Sequence, residues 1–315
     1  MKNKKYLLLT VLLVSTALSL FLLIEYPIRR QDESKTQEKP MIIATLFPQY
    51  DFTKQIVRDR ADVQLLLPPG AESHTYEPSP ADIIKISKAD MFVYTGRYME
   101  HWAERIISSV KGEKMITVDV SKGIKLIRHK DEDHADTHHH VLDPHIWTDP
   151  NNASVMTDNI LSALCDAYPA NAEYFRKNAA DFNSELQKLD SNFRDAVSSG
   201  KRNKIVFGGS NAFAYFLERY GLESLSAIDT CSTQADPGVK RITEIISEVK
   251  KEKIPVVFYG EMVAPKIAKT ISAETGTRLL PLNSCHNLSA EDLKKGRTYV
   301  YIMRKNLANL KEGLK

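Results

Sequence analysis

Nine histidines are spread very unevenly through this 315-residue chain. His129, His134, His138, His139 and His140 crowd into one acidic stretch, RHKDEDHADTHHH, while His74, His101, His145 and His286 stand alone. Neutral imidazole suits zinc and other borderline first-row metals, whereas a magnesium or calcium site is built from oxygens. His74 lies in PPGAESHTYEPSP, where prolines at 68, 69, 78 and 80 stiffen the loop and lower the entropy cost of holding a ligand. His145 lies in LDPHIWTDP, with Asp143 and Asp149 close enough in sequence to accept a ring N–H. His101 falls inside a helical pattern beside Trp102 and reads as a structural residue.

The elements that must position these residues alternate along the chain. Strands are expected at Met41–Phe47, Val63–Leu67, Met91–Tyr94 and Lys114–Val118, with helices near Tyr50–Arg58, Pro80–Lys88 and Glu100–Val110. The rhythm repeats with strands at Lys204–Phe207, Leu225–Ile228, Val256–Tyr259 and Arg278–Leu282. Helices are expected there at Ala212–Tyr220, Val239–Lys251, Pro265–Thr275 and from Tyr299 to about Lys311. Such alternation predicts an α/β fold of two (βα)4-type lobes with parallel sheets. Between them Tyr174, Asn178, Phe182, Leu186, Leu189, Phe193 and Val197 form one stripe at helical spacing. A single helix over Pro169–Ser199, roughly 45 Å long, therefore joins the lobes. On this frame His74, His145, Ser210, Cys231, Glu261, Cys285 and His286 each follow the carboxyl end of a strand, where open α/β sheets place their ligands.

Charge and composition narrow the partners. The formal charge of +3 is accounted for by residues 1–40, which carry seven Lys/Arg and four Asp/Glu. The remainder is formally neutral, which argues against nucleic acid. Lys2, Lys4 and Lys5 precede an uncharged run from Tyr6 to Ile24 long enough to cross a bilayer core. Positive charge ahead of that run exports everything after it. An uncleaved anchor in residues 1–24 is expected, a cleaved signal being the alternative; a lipid-bearing Cys is not available, since the first Cys is Cys165. Residues 25–40 read as a polar tether. The first lobe then takes 41–168, with its His-rich loop at 128–140, the linking helix 169–200 and the second lobe 201–315.

Several spaced motifs resemble one family. GAESHTYEPSPADI, ADMFVYTGRYMEHW, DPHIWTDP, NAFAYFLERYGLE, KIAKTISAETG and GRTYVYIMRKNLANLKEGL look like the zinc/manganese solute-binding receptors of ABC importers, over essentially residues 41–313. The resemblance implies two lobes on a rigid helix with one metal ion in the cleft, and His74 and His145 match the family's two first-lobe ligands. A His-rich acidic loop is typical of zinc-specific members, so zinc is expected ahead of manganese, with His129, His134, His138, His139 and His140 as a weak accessory trap. The second lobe departs from the common pattern: Ser210 stands where a His or Glu is usual, and Asn283 where an Asp is usual. LNSCHNLSAED instead resembles a less common branch with a Ser-Cys-His-Asn loop. The third ligand is therefore expected to be His286, ahead of Ser210 or Asn283, and Glu261 is the candidate fourth, a water or an outer role being the alternative. Cys231 and Cys285 are expected to form a disulfide in an oxidising exterior, thiolate ligation being the other reading. Cys165 reads as a buried small hydrophobe.

These residues predict a monomeric, non-enzymatic receptor, tethered to the outer face of the cell membrane, that captures zinc and delivers it to an importer permease. A manganese or iron receptor of the same fold and a surface adhesin are the alternatives from the same resemblance. A zinc hydrolase, with Glu261 as general base, is the alternative from another class; no HExxH helix supports it.

Overall fold

The computed structural model describes residues 39–110, 115–128, 142–228, 237–261 and 265–315. The expected anchor Tyr6–Ile24 lies outside these residues. Among the described residues no helix is long and apolar enough to cross a membrane.

The first half runs β1 (Met41–Ala44), α1 (Phe47–Val57), β2 (Asp62–Leu65), α2 (Pro80–Ser87), β3 (Met91–Tyr94), α3 (Ala103–Val110) and β4 (Ile116–Asp119). The strands pair in the order β2-β1-β3-β4, every pair parallel. Strands such as MIIA and MFVY are continuous apolar runs because helices cover both faces of the sheet. Local chemistry sets several helix starts. Ser79 and Asp82 form a reciprocal capping box ahead of Pro80, and the Asp149 carboxylate accepts from Asn151 N at the start of α4 (Pro150–Ala167).

The second half follows α5 (Ala172–Ser198) and runs β5 (Lys204–Ser210), α6 (Ala214–Tyr220), β6 (Glu223–Ile228), α7 (Val239–Glu252), β7 (Val256–Tyr259), α8 (Lys266–Thr275), β8 (Arg278–Pro281), α9 (Ala290–Lys294) and α10 (Tyr299–Gly313). Its sheet has the equivalent parallel order β6-β5-β7-β8. The α/β class and two-sheet architecture expected from the sequence are therefore present. Gly208 in β5 is required by packing, since a Cβ there would meet Ala268 of α8 at 2.3 Å.

The linking helix is shorter than its sequence stripe suggests. Pro169–Asn171 form a 3-10 turn, and the α-helix itself has 27 residues, roughly 40 Å. Its buried face runs from Ala172 and Phe175 to Ala196, while Tyr174 and Val197 are only partly covered. A straight helix drifts against a fixed three-and-four spacing, so the outermost positions of a long stripe rotate off the face. Phe182 packs on Phe52 of α1, and Phe193 packs edge-on to Phe216 of α6, so one helix carries both halves. Helix α9 was not expected as an element, and of α4 only the end, ILSALCDAY, reads as helical in the sequence. In α4 the apolar positions are diluted by Asn, Ser, Thr and Asp, which weakens the pattern although Ala153, Met156, Ile160 and Leu164 are buried.

Candidate metal centre

Three of the isolated imidazoles converge. The nitrogens of His74, His145 and His286 that could bind a metal all lie within 4.8 Å of one another. The ring centroids are 5.1 Å apart for His74 and His145, 5.3 Å for His74 and His286, and 4.5 Å for His145 and His286. His74 Nε2 and His145 Nε2 are 3.2 Å apart. Two nitrogens on a tetrahedral zinc with Zn–N near 2.0–2.1 Å are separated by about 3.3 Å, so this pair already has the required edge. His286 Nε2 is buried and has no hydrogen-bond partner among the described residues. A ring nitrogen in that condition is costly without a metal or a proton donor, and it faces the other two rings.

Each lobe fixes its ring through an acid. In the first lobe, Asp143 Oδ1 accepts from both His145 N and His145 Nδ1, each at 2.8 Å, and both residues are fully buried. Holding Nδ1–H on a carboxylate leaves the Nε2 lone pair for an ion and raises its basicity. In the second lobe the acid is Glu261, just beyond β7, and it reaches His286 through Ser284. Ser284 N donates to Glu261 Oε2 at 2.8 Å, the Ser284 hydroxyl touches Glu261 Oε1, and the same hydroxyl contacts His286 Nδ1. Burial pushes the Glu261 carboxyl up, but His286 and Ser284 outweigh it and hold the group below its ordinary range. As an ionised carboxylate Glu261 can only accept, so the hydroxyl donates to it and accepts from Nδ1–H. His286, like His145, then presents Nε2.

The loop carrying His286 is shaped by its own polar residues. Cys285 has φ of 63°, a left-handed turn held by Cys285 N donating to Asn283 Oδ1 at 2.7 Å. Asn283 is further tied to Asn306 of α10, which takes its N–H and donates to its carbonyl. The tip is tied to the first lobe: Asn287 Nδ2 donates to the carbonyls of Pro68 and Ala71, and Trp147 Nε1 donates to the Ser284 carbonyl at 2.7 Å. Trp147 also stands edge-on to His145 and His286, with centroids 5.5 and 5.3 Å away.

Other expected site residues are placed differently. Glu261 lies behind His286 rather than among the converging ring nitrogens. Ser210 ends β5, and Asn283 shapes the loop turn through its side-chain oxygen. Asp149, expected as a partner for His145, instead caps α4 and pairs with Arg219. His101 is exposed and bonded to Glu77 at 2.9 Å, as a structural surface residue would be. Cys285 is buried in the apolar core, where burial, reinforced by the Glu261 and Asp51 carboxylates, pushes its thiol well above the ordinary range. Cys165 is half-buried, its thiol near the Ala172 carbonyl. Cys231 lies outside the described residues, and so does the pairing proposed for it. His129, His134, His138, His139 and His140 also lie outside them; the ends of that insertion meet in a bridge between Arg128 and Leu142. The sequence reading did not single out Ser284, Asn287, Trp147 or Tyr215. Trp147 lies beside His145 in DPHIWTDP, and Ser284 and Asn287 flank Cys285 and His286 in LNSCHNLSAED.

Two equivalent parallel sheets on one long helix, with imidazoles from both lobes meeting beyond the strand ends, define a two-lobed α/β protein with a nitrogen cluster that could hold a small cation. The chain belongs to the family described as "ZnuA: Zinc-uptake complex component A periplasmic", which it matches over residues 42–313. It is 34% identical over 307 residues to the zinc-binding lipoprotein AdcA of Streptococcus pneumoniae, a match covering 96% of this chain and 60% of that protein. The chain thus spans well under two thirds of that relative's length. It is also 34% identical over 283 residues to the high-affinity zinc uptake system protein ZnuA of Bacillus subtilis, covering 88% of each. Among solved structures it resembles the Zn(II)-bound ZnuA-like domain of S. pneumoniae AdcA with a TM-score of 0.76 and 34% identity, over 88% of this chain and 99% of that one.

Proposed function

We propose that this chain is an extracytoplasmic receptor that captures Zn2+ through His74, His145 and His286 and delivers it to the permease of an ABC importer. The observation that carries the reading is the convergence of three imidazoles, one with Nδ1 held by the Asp143 carboxylate and one with Nδ1 held by the Ser284 hydroxyl that Glu261 backs. An all-nitrogen set favours zinc over manganese, which prefers carboxylate and water oxygens. Three neutral rings leave the ion's charge uncompensated at the first contact; Asp143 and Glu261 supply two negative charges one group further out, where they also aim the rings. Because His286 comes from the other lobe, the ion bridges both halves, and tilting one lobe removes one ligand of three. In this reading Tyr6–Ile24 anchors the receptor through the tether at residues 25–40.

Receptor chemistry fits the site better than hydrolysis. Glu261, the carboxylate a hydrolase would use as a base, is occupied by Ser284 N, the Ser284 hydroxyl and His286. The named relatives are described as zinc-binding and zinc-uptake proteins, and AdcA as a lipoprotein, which supports an extracytoplasmic, membrane-tethered role.

The test is metal analysis of protein purified without added metal, followed by titration against a competing chelator. One tight zinc equivalent is expected, reduced at least about a hundredfold in affinity in His74→Ala, as loss of one ligand of three should do. Preferential retention of manganese, or wild-type zinc affinity in His74→Ala, would remove the basis for this assignment.

A further inference from the structure

Helix α6 belongs to the second lobe, yet it touches the first lobe at both ends of the short segment that carries His145. At one end Tyr215, itself buried, donates its hydroxyl proton to the carbonyl oxygen of Asp143 at 2.6 Å. The same hydroxyl accepts from Ile127 N at 3.1 Å, and Asp143 N donates to the Ile127 carbonyl at 2.8 Å. One helical turn later, Arg219 places Nε 3.2 Å from Asp149 Oδ1. Its Nε and a terminal nitrogen also meet the two carboxylate oxygens of Asp190 on α5, each at 2.9 Å. Tyr215 and Arg219 are four residues apart and therefore share one face of α6. Between their contacts run the seven positions from Asp143 to Asp149, with His145 near the middle.

That segment has little regular structure of its own to hold a ring in place. It contains one 3-10 turn at Ile146–Thr148, and then α4 begins at Pro150. A metal ligand must be held to within about half an ångström and 10–20° of its working position, which a segment free at both ends would not do. The upstream end is fixed at the very residue whose carboxylate grips His145 N and Nδ1. The downstream end is fixed at the residue that caps α4.

We infer that Tyr215 and Arg219 are positioning residues for a metal ligand of the opposite lobe: one face of α6 splints Asp143–Asp149 and so aims His145 at the ion. The inference rests on the three-imidazole reading of the metal centre. It adds a second route by which the lobes are coupled to metal affinity. Moving the second lobe displaces His286 directly, and through α6 it also disturbs the aim of a first-lobe ring.

The experiment uses the full chain with Zn2+ in competition titration and Co2+ as an optical probe of ligand geometry. Tyr215→Phe keeps the aromatic packing and removes only the hydroxyl; Arg219→Lys keeps the charge and loses the forked contact. Zinc affinity should fall about tenfold in Tyr215→Phe, the low end of what outer partners of a ligand contribute. The Co2+ visible spectrum should change in band position or intensity, which a merely structural role would leave alone. Adding Asp143→Asn should cost little more than Asp143→Asn alone, because both act through the same ring. If Tyr215→Phe does not fold, Arg219→Lys carries the same two readouts, with a smaller expected loss. Unchanged zinc affinity and an unchanged Co2+ spectrum in a folded variant, alongside lost tight binding in His74→Ala, would overturn the splint and leave the metal centre standing. Wild-type affinity in His74→Ala would instead bring down the metal reading and this inference with it.

Discussion

The two lobes orient their converging rings by different means. In the first lobe Asp143 lies two residues before His145 and accepts from both its backbone and its ring, with both side chains fully buried. In the second lobe Glu261 lies 25 residues before His286, follows a different strand, and acts through Ser284. Those two side chains retain 15% and 11% exposure. In the first arrangement acid and ring lie in one loop, whose two ends are held by α6 of the second lobe. The second exists only once β7 and β8 are paired and the 283–288 loop has been tied to the first lobe by Trp147 and Asn287. A receptor that must hold an ion and later release it can thus tie both rings to how the lobes sit, one directly and the other through α6.

This contrast predicts unequal costs for removing the two acids. Asp143→Asn should lower zinc affinity toward the upper end of the 10–100-fold range for outer partners, because a buried direct acceptor is lost. Glu261→Gln should fall toward the lower end, since Ser284 still contacts Nδ1. Equal losses, or a larger loss for Glu261→Gln, would show that the second-lobe chain governs the site and reverse the comparison.

A smaller effect separates a buried acid that aims a ligand from one that does not. Glu100 is buried in the first lobe and accepts from Thr95 N, Gly96 N and the Thr45 and Thr95 hydroxyls, with no cation paired to it among the described residues. Burial outweighs those donors and pushes its carboxyl up from 4.5 to about 7. Its folded pKa is raised, so the folded state holds the proton more tightly than the unfolded chain. The stability it contributes is complete below about pH 4.5 and is lost as pH rises through 7. Between pH 6 and 7 the metal-free protein should lose about 1 kcal/mol from this group. Denaturant titrations at those two pH values should show that loss in the wild type and a flatter response in Glu100→Gln. A steeper loss in the variant would mean the carboxyl is not the source.

The first-lobe arrangement was legible in the sequence and the second-lobe one only in part. Strand–helix alternation, the stripe from Asn178 to Phe193, and prolines around His74 and His145 are short-range signals, and the sheets and first-lobe rings follow from them. Asp143 could be named because it lies two residues from the ring it serves. Asp149 could be named for the same reason, but helix capping and Arg219 claimed it instead. His286 was reached only by the poverty of donors at Ser210 and Asn283 and by resemblance to a loop. Ser284 and Asn287 stood in the Ser-Cys-His-Asn resemblance without a role, and Tyr215 had none either, since partners such as Glu261, Pro68 and Asp143 lie 23 to 219 residues away in the chain. Helix α4 was legible only at its end, ILSALCDAY, because small polar residues dilute the apolar positions before it.

The central claim is that the second lobe supplies His286, not Ser210, to the ion. Its most direct test is a zinc competition titration of His286→Ala and Ser210→Ala side by side, with thermal melts confirming that both are folded. The account predicts a loss of about a hundredfold or more for His286→Ala, as removal of one of three ligands requires, and wild-type affinity for Ser210→Ala. Tight zinc binding retained in His286→Ala, with loss in Ser210→Ala, would contradict it.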